Sequence, residues 1–236
     1  MKQTGVELSQ GQSEPIDKSR RSFFNMSVLA AGAMAGSSAI AQTFQAVCGL
    51  TPPQTEGPFY PVKDQPDEDN DLTQVNGHTQ KALGKLVFII GQVTDQNCAP
   101  LPNALVEIWQ ACASGRYNHP NDTNPAPLDP NFQYWGKCVT DAQGHYRFKT
   151  ILPGAYPADT NWMRPPHIHF KVHKLGFHEL TTQMYFAGNK FNAADKILQA
   201  LSPPEQAKVV VPLEPPPTGV DPNSRICKFD LSLVHA

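Results

Sequence analysis

The sequence predicts an all-β chain: a β-sandwich with long loops over its site and one short helix, preceded by a cleavable signal peptide. Three observations predict it. Proline accounts for 23 of 236 residues, about twice the usual share of ~5%, and proline breaks helices while crowding into turns and strand edges. Short β-branched or alternating runs recur from Lys85 onward, each closed by turn residues, as in a sandwich. Only Ala193 to Leu201 reads as a helix.

The elements follow in order. Arg20-Arg21 stand just before an apolar stretch, and no charged residue occurs from Ser22 through Thr55. The segment Met26 to Ala41 is rich in Ala, Gly and Ser. It ends Ala39-Ile40-Ala41, a small-x-small cleavage pattern. A membrane anchor needs ~20 strongly apolar residues, and this stretch is too polar. It resembles a twin-arginine export signal. Residues 1–41 are therefore expected to be removed, leaving an exported protein, periplasmic or secreted, with no membrane attachment after cleavage. Residues 42–84 are polar, Pro-rich and aperiodic, and read as an extended arm over a surface. Residues 85–236 form the sandwich domain.

Within that domain Lys85 to Thr94 is an apolar, β-branched run, and Ala104 to Gln110 alternates. The loop from Asn118 to Trp135 carries four prolines, and loops of such length inside a compact domain are usually functional. The turn Asp141-Ala142-Gln143-Gly144 opens His145 to Lys149, which Pro153-Gly154 follows. His167 to Val172, Leu180 to Phe186, Val209 to Val211 and Ile226 to Leu233 complete the strands. Net charge is −2 with no basic run, which argues against a nucleic-acid partner. Cys48, Cys98, Cys112, Cys138 and Cys227 show no C-x-x-C spacing, so no zinc or redox motif is indicated. An exported location permits disulfides; the odd count leaves at least one thiol unpaired, and the pairing is open.

The chemistry centres on Arg164-Pro165-Pro166-His167-Ile168-His169-Phe170. Residues two apart on a strand face the same side. His167 and His169 therefore share one face and can share one metal, while Ile168 and Phe170 pack on the other. His173 and His178 read as surface residues. Two tyrosines sit beside turn residues: Tyr117, in Gly115-Arg116-Tyr117, and Tyr156, in Pro153-Gly154-Ala155-Tyr156-Pro157.

With Thr55-Glu56-Gly57-Pro58-Phe59-Tyr60, Trp109-Gln110-Ala111, Ala126-Pro127-Leu128-Asp129-Pro130-Asn131-Phe132 and Thr182-Gln183-Met184-Tyr185-Phe186, these motifs resemble the intradiol ring-cleavage dioxygenases. They are most like the iron-bearing beta chain of the protocatechuate 3,4-dioxygenases. The resemblance runs in the family's order from about Leu50 to the C-terminus. It implies Fe(III) as cofactor, with Tyr117, Tyr156, His167 and His169 as ligands. It implies Arg164 and Gln183 as active-site residues that also bind substrate, and Tyr60 near the substrate pocket. The implied reaction opens a catechol with dioxygen between its hydroxylated carbons, giving a cis,cis-muconate-type product without an external reductant. Anionic oxygen donors suit a hard, high-valent cation, and imidazole suits iron. Ala158 stands where the family pattern leads one to expect a tryptophan, and the loop from Tyr156 to Arg164 is short; both leave the catechol's identity open. Oligomeric state, including a homo-oligomer, is also open. Two alternatives stand beside this reading: a non-catalytic transthyretin-like or carboxypeptidase-regulatory-like sandwich that binds a ligand, and the same site filled by copper or zinc.

Overall fold

The computed structural model describes residues 48–63 and 67–236. The expected signal peptide and the first residues of the arm lie outside them. Among the described residues, eleven strands and two short helices follow the arm: β1 Leu86–Asp95, β2 Leu105–Trp109, β3 Trp135–Val139, β4 His145–Ile151, β5 Tyr156–Asp159, β6 Trp162–Arg164, β7 His167–His173, β8 Leu180–Phe186, α1 Lys196–Gln199, α2 Pro203–Val209, β9 Val210–Val211, β10 Arg225–Lys228 and β11 Leu231–Leu233. No described helix is long and apolar enough to cross a membrane.

The strands form two sheets and a hairpin. In the first sheet β1 is central, antiparallel to β4 on one side and parallel to β10 and then β11 on the other. The second runs β3-β2-β7-β8-β9, and β5 pairs with β6. The two sheets share one core. Val87, Ile89 and Val93 of β1 and Phe148 of β4 cluster with Val106, Ile108, Ile168, Phe170, Val172 and Met184 of the second sheet. Phe170 meets Phe229 at 4.9 Å and Tyr146 at 6.2 Å between ring centroids, across the two sheets. Burying each such aromatic contributes roughly 1.5–3 kcal/mol.

Strand alternation then decides what the second sheet shows on its outer face. Register places Trp135, Trp109, His169 and Gln183 in one row across β3, β2, β7 and β8. The next row on one side is Lys137, Glu107, Lys171 and Thr181, and on the other side His167 pairs with Tyr185. This face is covered by the arm, the loop after β2 and the β5–β6 hairpin. The arm is tied at Cys48 by a disulfide to Cys98 in the turn after β1, and it then runs along the edge of β8 that β9 leaves open. There Gln54 N–H donates to Thr181 O at 2.8 Å. Cys112, Cys138 and Cys227 are free thiols.

Five sequence expectations change. The single run Ile226 to Leu233 is two strands, because the Asp230 carboxylate, in place of a backbone carbonyl, accepts from Gln92 N–H at 3.0 Å. The helix expected over Ala193 to Leu201 is broken: Asn192–Ala194 is a 3-10 turn, Asp195 is extended, and only Lys196–Gln199 is α-helical. A second helix, α2, adjoins it; Ser202 and Glu205 form a capping box ahead of Pro203 and Pro204, positions where proline is tolerated. The long loop ends at β3, and Tyr156 to Arg164 is a hairpin, neither expected from the sequence.

Candidate functional site

Tyr117, in the loop after β2, and Tyr156, at the start of β5, meet because two glycines let their backbones touch. Gly115 has φ +86°, and a Cβ on it would collide with the Ala155 carbonyl; a Cβ on Gly154 would collide with the Gly115 amide and stand 2.6 Å from Ala113 O. The amides of Gly115 and Gly154 both donate to Cys112 O, at 2.9 and 3.0 Å. Each tyrosine follows its glycine by two residues, so Tyr117 and Tyr156 arrive together, rings 5.5 Å apart and perpendicular. The loop's own side chains fix Tyr117 further. Asp122 accepts from Tyr117 N–H at 2.6 Å and Asn124 donates to Gly115 O at 3.0 Å, the local turn bonding that Asp and Asn favour. Fully buried Gln110 ties the base of this loop to β4 through Ile151 O and Thr150.

The histidines come from β7 as expected. His167 and His169 are each 2% exposed, and their Nε2 atoms stand 3.2 Å apart. Tyr117 Oη lies 3.4 Å from His167 Nε2. His167 Nδ1 is 2.7 Å from Pro165 O. A carbonyl only accepts, so Nδ1 carries the proton and the Nε2 lone pair faces Tyr117 and His169. Burial, with Arg164 nearby, holds both imidazoles well below their ordinary pKa, so both are neutral donors. Trp109 stacks on His169 at 4.8 Å. His169 Nδ1 is buried without a partner among the described residues. Gly57, at φ +74°, lets the arm pass close to His169 Cε1. His173 and His178 are exposed, as read from the sequence.

Arg164 pairs with Tyr156 across the hairpin and is 4% exposed. Its Nε donates to Asp195 at 2.7 Å, and Nη2 donates to Gln183 Oε1 at 2.6 Å and reaches Tyr185 Oη at 3.4 Å. Gln183 in turn donates to Thr55 O at 2.9 Å and accepts from Tyr185 at 3.0 Å, and Gln54 donates to Tyr185 at 3.2 Å. Burial raises both phenols. In Tyr156, Arg164 and a hydrogen bond from Tyr117 oppose that rise, whereas Tyr117 is pushed far up. Tyr156 is therefore the more readily ionised of the two.

Six of the seven residues singled out in the sequence thus converge: Tyr117, Tyr156, His167, His169, Arg164 and Gln183. Tyr60 lies one row away. Its hydroxyl donates to Glu107 at 3.1 Å, its ring meets Trp109 edge-on at 4.9 Å, and Lys171 Nζ sits 3.8 Å over it. The neighbouring Phe59 is the arm residue that stacks on Tyr117, at 4.6 Å. Sequence reading missed Phe59, Trp109, Gln54, Tyr185 and Asp195. Phe59, Trp109 and Tyr185 stood in the motifs that carry the resemblance, and Tyr185 also lies two residues from Gln183 on β8; Gln54 and Asp195 carried no signal. Ala158 is exposed, and the nearby tryptophan, Trp162, lies on β6 with the Arg164 guanidinium 5.5 Å from its ring centroid.

The donor set fits a metal ion. Among the described residues no three of His, Cys, Asp and Glu gather to hold one; here two imidazoles, neutral by burial, face a phenol, with a second phenol alongside. Donors in neighbouring positions on one ion, each ~2.0–2.2 Å from it, lie about 3 Å from one another, and here Nε2–Nε2 is 3.2 Å and Oη–Nε2 3.4 Å. Phenolate oxygen with imidazole suits a hard trivalent ion such as iron.

A family model named Dioxygenase_C, described as Dioxygenase, matches residues 55–233. The protocatechuate 3,4-dioxygenase beta chain of Burkholderia cepacia is 46% identical over 154 residues, covering 64% of this chain and 65% of that protein. The catechol 1,2-dioxygenase of Candida albicans is 33% identical over 156 residues, covering 60% of this chain and 48% of that protein. The chain therefore spans between about half and two thirds of these relatives' lengths. Among solved structures, the dioxygenase domain of a dioxygenase carbohydrate-binding protein fusion from Streptomyces sp. SirexAA-E matches with TM-score 0.59 and 29% identity, over 80% of this chain and all of that one. The 3-chlorocatechol 1,2-dioxygenase of Rhodococcus opacus 1CP matches with TM-score 0.62 and 26% identity, over 78% of this chain and 73% of that one.

Proposed function

Because this chain belongs to the Dioxygenase_C family, we propose that it cleaves the ring of a catechol between its two hydroxylated carbons, with dioxygen, at a single ferric ion. The observation that carries this reading is the buried convergence of Tyr117, Tyr156, His167 and His169 beside Arg164 and Gln183. The four donors would hold Fe(III), which when bound supplies a Lewis acid and a template for catecholate and dioxygen. Tyr156 is the phenol suited to take up a catechol proton at its oxygen, since Arg164 and Tyr117 oppose the rise that burial gives it and it is the more readily ionised of the two. Arg164, held by Asp195 and Gln183, presents a fixed positive charge where the ring oxygens gain keto character. Phe59, packed on the buried cluster of Trp109 and Tyr117, would help to keep water from the site.

The substrate class follows from this site and from what the relatives' names state: protocatechuate, catechol and chlorocatechols. Export through a twin-arginine signal, to the periplasm or beyond, is part of the proposal. The Cys48–Cys98 disulfide supports it, since such bonds persist in oxidising compartments. The test is oxygen uptake by iron-loaded protein with catechol, protocatechuate and hydroxyquinol in turn, with the product's ultraviolet spectrum. Iron-dependent uptake yielding a muconate supports the reading. Tight binding without uptake favours a non-catalytic sandwich, and activity only with copper or zinc places another metal in the site.

A further inference from the structure

We infer that Asp195 is a positioning residue that acts on the reaction through Arg164. It lies 31 residues beyond Arg164 in sequence, between the 3-10 turn and α1, in a segment of weak pattern. Its side chain is fully buried, and the Arg164 side chain is 5% exposed. A buried carboxylate is costly unless each oxygen is used, and here both are. Oδ1 accepts from Leu198 N–H at 2.8 Å, capping α1, and Oδ2 accepts from Arg164 Nε at 2.7 Å.

That second bond fixes which edge of the guanidinium faces the site. Guanidinium is planar with donors in a rigid fork. Once Nε is held toward α1, the terminal nitrogens are turned to the Gln183 and Tyr185 side, where Nη2 is bonded. Nη1 has no hydrogen-bond partner among the described residues. Without Asp195, Arg164 keeps its charge but loses the contact that sets its angle. A misplacement of about 1 Å at a reacting centre can cost ~100-fold in rate. Among the described residues Asp195 makes no hydrogen bond to the donor cluster, and the bond that links it to the site is the one to Arg164.

The inference rests on the dioxygenase reading for its kinetic arm and is independent of it in its spectroscopic arm. Asp195→Asn separates positioning from capping, since asparagine caps a helix as well as aspartate but cannot satisfy both Leu198 and Arg164. In the full chain without metal, the Arg164 Nε–H signal, identified by its loss in Arg164→Ala, is expected to exchange slowly with solvent. It should exchange rapidly in Asp195→Asn. Fast exchange in the unaltered protein, or unchanged protection in the variant, overturns the inference whether or not the protein is a dioxygenase. In iron-loaded protein, Asp195→Asn should lower kcat per bound iron by ~10–100-fold, with KM changing less and the visible band retained. In an Arg164→Ala background the same change should cost nothing further, because residues acting as one unit are non-additive. Unchanged kcat per iron, or a full additional loss in the Arg164→Ala background, overturns it. Should Asp195→Asn fail to fold, the exchange rate in the unaltered chain and in Asp195→Glu decides the matter.

Discussion

Gly115 and Gly154 lie backbone against backbone, their two amides sharing the Cys112 carbonyl as acceptor. This contact joins the loop after β2 to the turn before β5, and so joins Tyr117 to Tyr156. A methyl at Gly154 has no room, because its neighbours are backbone atoms of Ala113 and Gly115. Gly154→Ala is expected to lower stability by ~1–3 kcal/mol, the usual cost of overpacking. It should also force the tyrosines apart. Denaturant unfolding with iron titration checks both; unchanged iron affinity would show that the contact does not set the pair.

Colour reports the tyrosines directly. Ferric phenolate absorbs broadly in the visible, so iron-loaded protein is expected to be reddish. Tyr117→Phe should shift or bleach that band, and removing iron with a chelator should abolish it. Tyr117 is nearly fully buried and makes no backbone-directed bond through its hydroxyl, so the metal-free variant should fold. A fully iron-loaded protein without visible absorption would exclude phenolate ligation.

Arg164→Ala is expected to retain iron and colour while losing turnover by ~10²–10³, the usual cost of removing one transition-state donor. The structure adds a second expectation. The variant leaves Asp195 buried and unpaired, which should also destabilise the fold by ~3–5 kcal/mol. Steady-state oxygen uptake, normalised to bound iron and folded fraction, separates the two effects. Near-normal turnover per iron would remove Arg164 from the reaction.

The Cys48–Cys98 disulfide closes a loop with a sequence separation of 50 residues, worth ~4 kcal/mol on the chain-entropy account. Beyond Cys48 the same arm supplies Gln54 to Gln183 and Tyr185, and Phe59 to Tyr117. A Cys48→Ser, Cys98→Ser double variant should therefore melt on the order of 10 °C lower, and should bind iron more weakly. Calorimetry of metal-free protein in and out of reductant checks the first point. An unchanged melting temperature would mean that the arm holds without its tether.

Export is checked in cells. An Arg20→Lys, Arg21→Lys double variant should accumulate uncleaved in the cytoplasm, and the unaltered precursor should be cut after Ala41. Normal export of the double variant would exclude the twin-arginine route.

Alternation alone put His167 and His169 on one face with Ile168 and Phe170 opposite, because a strand's period is set by covalent geometry. Resemblance to the family's motifs, rather than any local rule, marked Arg164 and Gln183, while turn chemistry marked Gly115 and Gly154. Alternation and turn chemistry are local, and local rules survive in a sequence. What the sequence left open is non-local. The hairpin of β5 and β6 is too short, and too interrupted by Pro157, to give a periodic signal. β3 becomes a strand because β2 offers it an edge. The run after Arg225 divides because an aspartate side chain enters the ladder. The segment after Phe191 breaks at Asp195, where a buried carboxylate must reach Arg164 as well as Leu198. Tyr60 and Phe59 are adjacent in sequence with similar side chains, and only packing decided that Phe59 meets Tyr117 while Tyr60 turns to Glu107. The donors were legible one by one; their convergence depends on which backbones can touch, and that is decided by contacts between residues far apart in the chain.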